Sequence, residues 1–280
     1  MKLIEPKVEL LSELNISPES HIARCARVCY GKEYKEPNQE ADEKMVNGLI
    51  KRNHLSMLRH SSAYFVFTNH PPEEFKSEYV NTLSQEDYIY ASTNGQFTLE
   101  HNNKADLNSH VFLNLCRKYP ELFELYRLTF CITTQIGTSR ELNRKSPNAI
   151  AERSTRYCSS KDGLEICRPW WLSSAKEAAF NSHSPINELW YYNNAISKVE
   201  EAYLTLLGQG MKPEDARGIL PLDTATKVIY TYSIREWQHI LDLRYYGTTG
   251  KPHPNAKLIA GKIRDEINKF SIEHGINYKV

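Results

Sequence analysis

Positive charge crowds one stretch of the chain. Arg140, Arg144, Lys145, Arg153 and Arg156 all fall between positions 140 and 156, interleaved with Glu141, Asn143, Ser146, Asn148, Glu152, Ser154 and Thr155. Guanidinium forks grip a carboxylate or phosphate through two parallel hydrogen bonds, and Ser and Thr hydroxyls can complete a phosphate shell. Glu152 can orient an Arg or accept from a base or sugar. A phosphate-bearing small molecule suits such a set. On charge alone, so does a solvated basic loop or a subunit contact.

Two later segments pair an Arg with the end of a helical pattern, Asp215-Ala216-Arg217-Gly218-Ile219-Leu220-Pro221 and Trp237-Gln238-His239-Ile240-Leu241-Asp242-Leu243-Arg244. Trp237, Leu241 and Arg244 share one helix face, so this guanidinium emerges beside the apolar stripe and is partly desolvated. The plain alternative is a buried ion pair with Asp242 or Glu236. His54 and His60, six positions apart with no third ligand nearby, do not make a metal site, and no metal is expected. Gly247-Thr248-Thr249-Gly250-Lys251-Pro252 has neither the glycine spacing of a phosphate loop nor a hydroxyl after its Lys. Dinucleotide-type Gly-x-Gly-x-x-Gly and hydrolase-type Gly-x-Ser-x-Gly runs are lacking. The cysteines Cys25, Cys29, Cys116, Cys131, Cys158 and Cys167 read as separate buried or half-buried thiols in a reduced compartment.

The elements that must carry these residues are readable from period and punctuation. Lys7–Leu11, Ala63–Thr68 and Leu128–Thr134 are strand candidates, and Tyr88–Leu99 reads as two strands joined at Asn94-Gly95. Helices are expected over His21–Cys29 behind Ser17-Pro18, around Met45–Asn53, over Leu107–Cys116 and over Ile186–Leu207. Others follow from Pro213, over Ile234–Arg244 and over Asn255–Phe270. Strands thus concentrate before residue 175 and helices after it. With no repeat or linker, residues 1–280 are expected to form a single α+β domain.

Composition fits that reading. Of 280 residues, 40% are apolar and 25% charged, and the formal net charge is +1. No apolar run reaches the roughly 18 residues of a membrane span, so no membrane association is expected. A near-neutral chain has no broad field for a nucleic-acid backbone, and nucleic acid is not an expected partner. Glu5 and Pro6 stand where a secretory leader would be apolar, so a cytoplasmic location is expected.

The run Arg144-Lys145-Ser146-Pro147-Asn148-Ala149-Ile150-Ala151-Glu152-Arg153-Ser154-Thr155-Arg156-Tyr157 resembles the signature of the flavin-dependent thymidylate synthases: Arg-His-Arg, seven residues, then Ser, x, Arg and Tyr. Lys145 and Ser146 stand where the signature has His and Arg. Further segments resemble the family in the same order: Ala26–Tyr30, His54–His60 before a strand, Ala216–Pro221, and Leu241–Arg244 followed by His253-Pro254. Arg59 stands where an acid is common, and His239 where Asn is.

The resemblance implies a mixed or antiparallel sheet packed against a mainly helical second half. It implies methylation of dUMP to dTMP, with methylenetetrahydrofolate as one-carbon donor, FAD as cofactor and NADPH as reductant. It also implies dUMP contacts from Glu141, Arg144, Glu152, Ser154, Thr155, Arg156, Arg217 and Arg244, with Arg244 in the catalytic role at the uracil. FAD contacts would come from His60, Ser62, Arg144, Lys145, Glu152, Arg235 and His239. A homotetramer with shared sites is implied as well. Two alternatives stay open: a divergent relative that modifies, for example hydroxymethylates, another pyrimidine nucleotide, and a non-catalytic nucleotide-binding protein.

Overall fold

A computed structural model of the chain describes residues 1–11, 13–32, 36–158, 162–172 and 188–280. Strands β1 (Lys2–Ile4) and β2 (Lys7–Leu10) lead to helix α1 (Pro18–Val28). The Ser17 hydroxyl accepts from the Ser20 amide at 3.1 Å and so caps α1, with Pro18 in the first turn where its missing N–H is not needed. Asn38 caps α2 (Gln39–Lys51) in the same way. A 3-10 turn, Leu55–His60, delivers the chain to β3 (Ser62–Phe67). Then come β4 (Asn81–Gln85), β5 (Tyr88–Asn94), α3 (Gly95–Glu100), α4 (Ser109–Lys118), β6 (Arg127–Gln135) and α5 (Ile136–Leu142). Short strands β7 (Ile150–Glu152) and β8 (Glu165–Cys167) precede α6 (Glu188–Gly208) and the single turn α7 (Pro213–Ala216). Strand β9 (Ala225–Ser233), α8 (Ile234–Leu241) and α9 (Pro254–Glu273) complete the order.

The expected α+β architecture is present. Strands run β2-β6-β9-β7 in an antiparallel four-stranded sheet and β3-β5-β4 in an antiparallel three-stranded one, while β1 and β8 pair in parallel. One face of the larger sheet, with Phe130, Ile132, Val228, Tyr230 and Tyr232, packs on Trp237 of α8 and on Ile259, Ile263 and Ile267 of α9. Because side chains alternate along a strand, Thr129, Cys131, Thr231 and Ile229 fall on the other face, where Cys25 of α1 packs on Ile229 and on its cross-strand neighbour Ala151 of β7. Among the described residues all six cysteines are free thiols, and no helix is long and apolar enough to cross a membrane.

The structure corrects three expectations. Strands do not stop before residue 175: β9 lies in the second half and pairs with β6 over nine positions from Arg127↔Ser233 to Gln135↔Ala225. Asn94-Gly95 is not a hairpin turn. The Asn94 side chain accepts from the Gln96 and Phe97 amides and so caps α3, and the actual hairpin turns at Glu86-Asp87, where Glu86 has φ 52. Gly95 is required by crowding: a Cβ there would stand 2.3 Å from the Ser61 hydroxyl and 3.0 Å from the Leu58 carbonyl oxygen. Finally, the helix expected over Ile234–Arg244 is regular only to Leu241 and widens to a π turn over Asp242–Tyr246, which ends at left-handed Gly247. The start of the helix expected from Ile186 lies outside the described residues.

Candidate active site

The signature segment is pinned by backbone bonds from both sides. The Arg153 amide donates to the Lys227 carbonyl of β9 at 2.8 Å, and the Ser154 amide to the Cys29 carbonyl at 3.0 Å. The turn after Cys29 needs Gly31, which has φ +63 and no room for a Cβ 2.9 Å from Cys158 Sγ. The Ala26–Tyr30 and Ser154–Tyr157 motifs, far apart in sequence, are therefore neighbours.

From this anchored loop Thr155 and Arg156 reach the segment after α6. Arg217 Nη1 donates to Thr155 Oγ1 at 3.2 Å, and Arg217 Nε to the Glu214 carbonyl at 3.1 Å. Arg156 donates through Nε and Nη2 to Glu214 Oε2 at 3.3 and 3.0 Å. The hydrogen bond from Arg156 and then its charge hold the Glu214 carboxyl below the usual carboxylate range. Ser154, Thr155, Arg156, Glu214 and Arg217 are thus gathered at the surface: two cations, two hydroxyls and one acid, beside a hollow of about 20 Å³ lined by Arg153, Ser154, Thr155 and Thr226. Such a cluster can take up an exposed dianion, which would compete with Glu214 for Arg156.

A second group forms at the end of α5. Arg244 lies in the π turn and donates from Nε to the Glu141 carbonyl at 2.7 Å. No ion pair joins it to Asp242 or Glu236, as that alternative would require. Asp242 accepts from Gln238 at 2.7 Å, and Glu236 accepts from the Ser233 amide at 2.8 Å. Partial burial, and next the nearby Arg144 guanidinium, hold Arg244 below its ordinary pKa. Two like charges lie near one another at this end of α5, which favours an anion or a group that becomes one. Glu152 Oε1 accepts from the Ser139 hydroxyl at 3.0 Å. The Tyr230 hydroxyl supports this end of α5 by donating to the Ser139 carbonyl and lying 2.8 Å from Asn143 Oδ1.

The residues implied for FAD divide in two. Lys145 Nζ is 3.4 Å from Glu236 Oε1, and Glu236 belongs to a capping box with Ser233 at the start of α8. Arg235 bonds Glu124 and the Thr82 carbonyl, both at 3.0 Å, and exposed His239 follows one turn later on the same face. Arg235 and His239 therefore lie on α8 itself, and Lys145 lies beside its first turn. The donor set of an ammonium, a guanidinium and an imidazole fits a pyrophosphate-bearing group such as FAD. By contrast, His60 is fully buried and its Nδ1 lies 2.9 Å from Thr231 Oγ1, while the Ser62 hydroxyl donates inward to Glu13 at 3.2 Å. Burial first, then the Arg127 charge, pushes His60 down to about 3.

Four residues outside the implied dUMP and FAD sets, Arg59, Glu214, Arg127 and Glu236, hold these groups. Arg59 donates to Gln96 Oε1 at 2.7 Å, to the Asn148 carbonyl at 2.8 Å and to the Tyr79 hydroxyl at 3.1 Å, so it ties the signature loop to α3 and to the segment before β4. Glu236, weighed from the sequence only as an ion-pair partner of Arg244, is instead the N3 residue of the Ser233 capping box, and Glu214 and Arg127 act through partners distant in sequence. A cavity of about 1000 Å³ opens on the other face of the sheet among Lys7, Arg24, Cys131, Arg153 and Lys227. It is lined by none of the residues implied for dUMP or FAD, so their chemistry is placed by the clusters above and not by that cavity.

Comparison with known proteins gives the family. The sequence pattern of the family described as "Thymidylate synthase complementing protein" matches residues 81–271. A flavin-dependent thymidylate synthase of Synechocystis sp. is 27% identical over 168 residues, 58% of this chain and 77% of the relative. The probable flavin-dependent thymidylate synthase of Paramecium bursaria Chlorella virus 1 is 27% identical over 191 residues, covering 63% and 82%. Among solved structures, a UMP/dUMP methylase, PolB, from Streptomyces cacaoi bound with 5-Br dUMP aligns with 98% of this chain and 95% of its own, at 16% identity and a TM-score of 0.47. With its signature loop, its ordered motifs and a family match over most of its length, the chain belongs to the thymidylate synthase complementing protein family, that of the flavin-dependent thymidylate synthases.

Proposed function

We propose that the protein methylates dUMP to dTMP, with methylenetetrahydrofolate as one-carbon donor, FAD as cofactor and NADPH as reductant. The observation that carries this reading is the meeting of Ser154, Thr155 and Arg156 with Arg217, one short loop away from the Arg144–Arg244 pair. The first cluster suits a nucleotide phosphate and the second an electron-rich ring. When bound, FAD supplies the hydride that reduces the transferred carbon to a methyl group.

The chain's own residues do the rest. Arg217, Thr155 and Ser154 hold the phosphate, and Arg156 exchanges Glu214 for it. Arg244, held by the Glu141 carbonyl and repelled by Arg144, favours loss of the uracil N3 proton and stabilises the negative charge that develops while C5 attacks carbon. Glu152, fixed by Ser139, accepts from the ring or sugar. Lys145, Arg235 and His239 would hold the flavin's pyrophosphate. Residues for the two halves are spread over an open surface, which supports a site completed by other copies in a homotetramer.

Lys145 and Ser146 in the signature favour one second reading, a relative that alkylates or hydroxymethylates another pyrimidine nucleotide. The test is a visible absorption spectrum of the purified protein with FAD, then with dUMP, followed by mass analysis of the nucleotide product. Flavin bands that shift on adding dUMP, and a product heavier by one methyl group, are expected. A product heavier by a hydroxymethyl group selects the second reading, and a protein that binds dUMP but never FAD defeats both.

A further inference from the structure

On the α1 side of the main sheet a line of buried polar groups crosses from α1 to the start of β3. Arg24 Nη2 lies 3.2 Å from His21 Nδ1, and His21 Nε2 lies 3.0 Å from Thr129 Oγ1. Thr129 Oγ1 lies 2.8 Å from Thr231 Oγ1, which lies 2.9 Å from His60 Nδ1. His21, His60 and Thr231 are fully buried and Thr129 nearly so.

The hydrogens in this line can be assigned by elimination. A guanidinium only donates, so His21 Nδ1 must be a bare lone pair and the neutral ring carries its proton on Nε2. Glu13 Oε1, an acceptor when ionised, lies 3.4 Å from that same Nε2, in keeping with a proton there. Thr129 therefore accepts from His21. Its single hydrogen has one partner among the described side chains, the Thr231 oxygen, and Thr231 in turn donates to His60 Nδ1. The reverse order would leave the Thr129 hydrogen without a side-chain acceptor in a buried place, at the usual cost of an unmade bond.

His60 is thus left with its proton on Nε2, a buried atom with no partner at close hydrogen-bond distance, and the Ile150 carbonyl is the backbone acceptor near the ring. We propose that Arg24, through His21, Thr129 and Thr231, polarises a one-way hydrogen-bond chain that fixes His60 as the Nε2–H tautomer, making these four positioning residues for the flavin half of the site. The inference rests on the proposed function, in which Lys145 holds the flavin: Lys145 pairs with Glu236, and Glu236 shares a small hollow with Thr231.

Both rings stay neutral over the working range, as the chain requires. Burial, then Arg24 and His60, lowers His21, and burial, Arg127 and Arg59 lower His60, with the Ile150 carbonyl opposing them. Thr231 also lines a small hollow beside Arg59, Tyr79, Asn148 and Glu236, so the chain ends next to the loop that carries Lys145.

Neutron diffraction from deuterated crystals of the full chain would locate each deuteron. Deuterons on Nε2 of both His21 and His60, with the Thr231 deuteron toward His60 Nδ1, are expected; a deuteron on His60 Nδ1 would overturn the proposal. FAD titration of two variants adds a readout that packing alone would not move. Thr231→Val keeps the shape and breaks the chain, and is expected to weaken FAD binding about tenfold with dUMP affinity unchanged, whereas Thr231→Ser should stay within about twofold of the parent. Equal loss in both variants would overturn the positioning role. Deuterons as expected in a protein that binds no FAD would uphold the chain while defeating the proposed function, so the two can fail separately.

Discussion

The Arg217 guanidinium meets the Thr155 hydroxyl at 3.2 Å across sixty-two positions of sequence. This contact closes the phosphate cluster, because Arg217 brings its charge to a loop that already offers Ser154 and Arg156. Arg217→Ala is expected to raise KM for dUMP by about 10- to 100-fold, the value of a charge-assisted hydrogen bond. Arg217→Lys keeps the charge without the fork and should fall between. Steady-state kinetics with varied dUMP decide the matter, and an unchanged KM in Arg217→Ala would remove Arg217 from the site.

Arg244 makes a different prediction, since its work lies in the charge that develops during reaction. Arg244→Ala should lower kcat by about 10²- to 10³-fold, as loss of one preorganised donor does. Flavin affinity should change by less than about twofold. Turnover assays beside a flavin titration separate the two, and a variant that turns over normally refutes the role assigned to Arg244.

Glu13 and two histidines set opposing pH dependences. Burial drives the Glu13 carboxyl up to about 7 against Arg127, Ser62 and Ser109. His21 and His60 are held below their ordinary 6.5. Between about pH 4.5 and 6.5 the unfolded chain binds two histidine protons that the folded chain refuses, while the folded chain keeps one on Glu13 that the unfolded chain releases. The net is one more proton on the unfolded state, so these groups make stability fall by about 1.4 kcal/mol per unit as pH drops. Glu13→Gln removes the opposing proton and should steepen the fall to about 2.7 kcal/mol per unit. Urea midpoints across that range test it, and parallel curves for parent and variant would be the contrary result.

Gly95 is fixed by space. A methyl group there meets the Ser61 hydroxyl and the Leu58 carbonyl, so Gly95→Ala should cost about 1–3 kcal/mol, as overpacking does. Adding Ser61→Ala should recover part of the loss. A melting temperature unaltered by Gly95→Ala would contradict the crowding.

How much of this was legible in the sequence differs by range of interaction. Helix α1 with its Ser17 cap, α2 and strands β3 and β6 follow from local period and punctuation, and they lie where expected. Strand β9 also carries a local signal, since Thr226, Val228, Ile229, Tyr230, Thr231 and Tyr232 all favour strands, but it is set between two helical patterns whose period is stronger. Asn94-Gly95 misled because both a tight turn and a helix cap favour the same pair, and only Ser61 and Leu58, far away in sequence, decide between them. The cation cluster was visible as composition. Its acid, Glu214, and the Glu141 carbonyl that holds Arg244 were not, because long-range partners leave no local period.

Two adjacent residues of β9 serve opposite faces of one strand. Tyr230 braces the end of α5 beside Glu141 and Arg144, and Thr231 meets His60. A strand's faces alternate with every residue, so inserting or deleting one position in β9 would exchange the two duties at once. Length in this segment should therefore be frozen in natural variants and grafted chimeras even where side chains drift, and any tolerated indel should fall beyond Ala225 or Ser233.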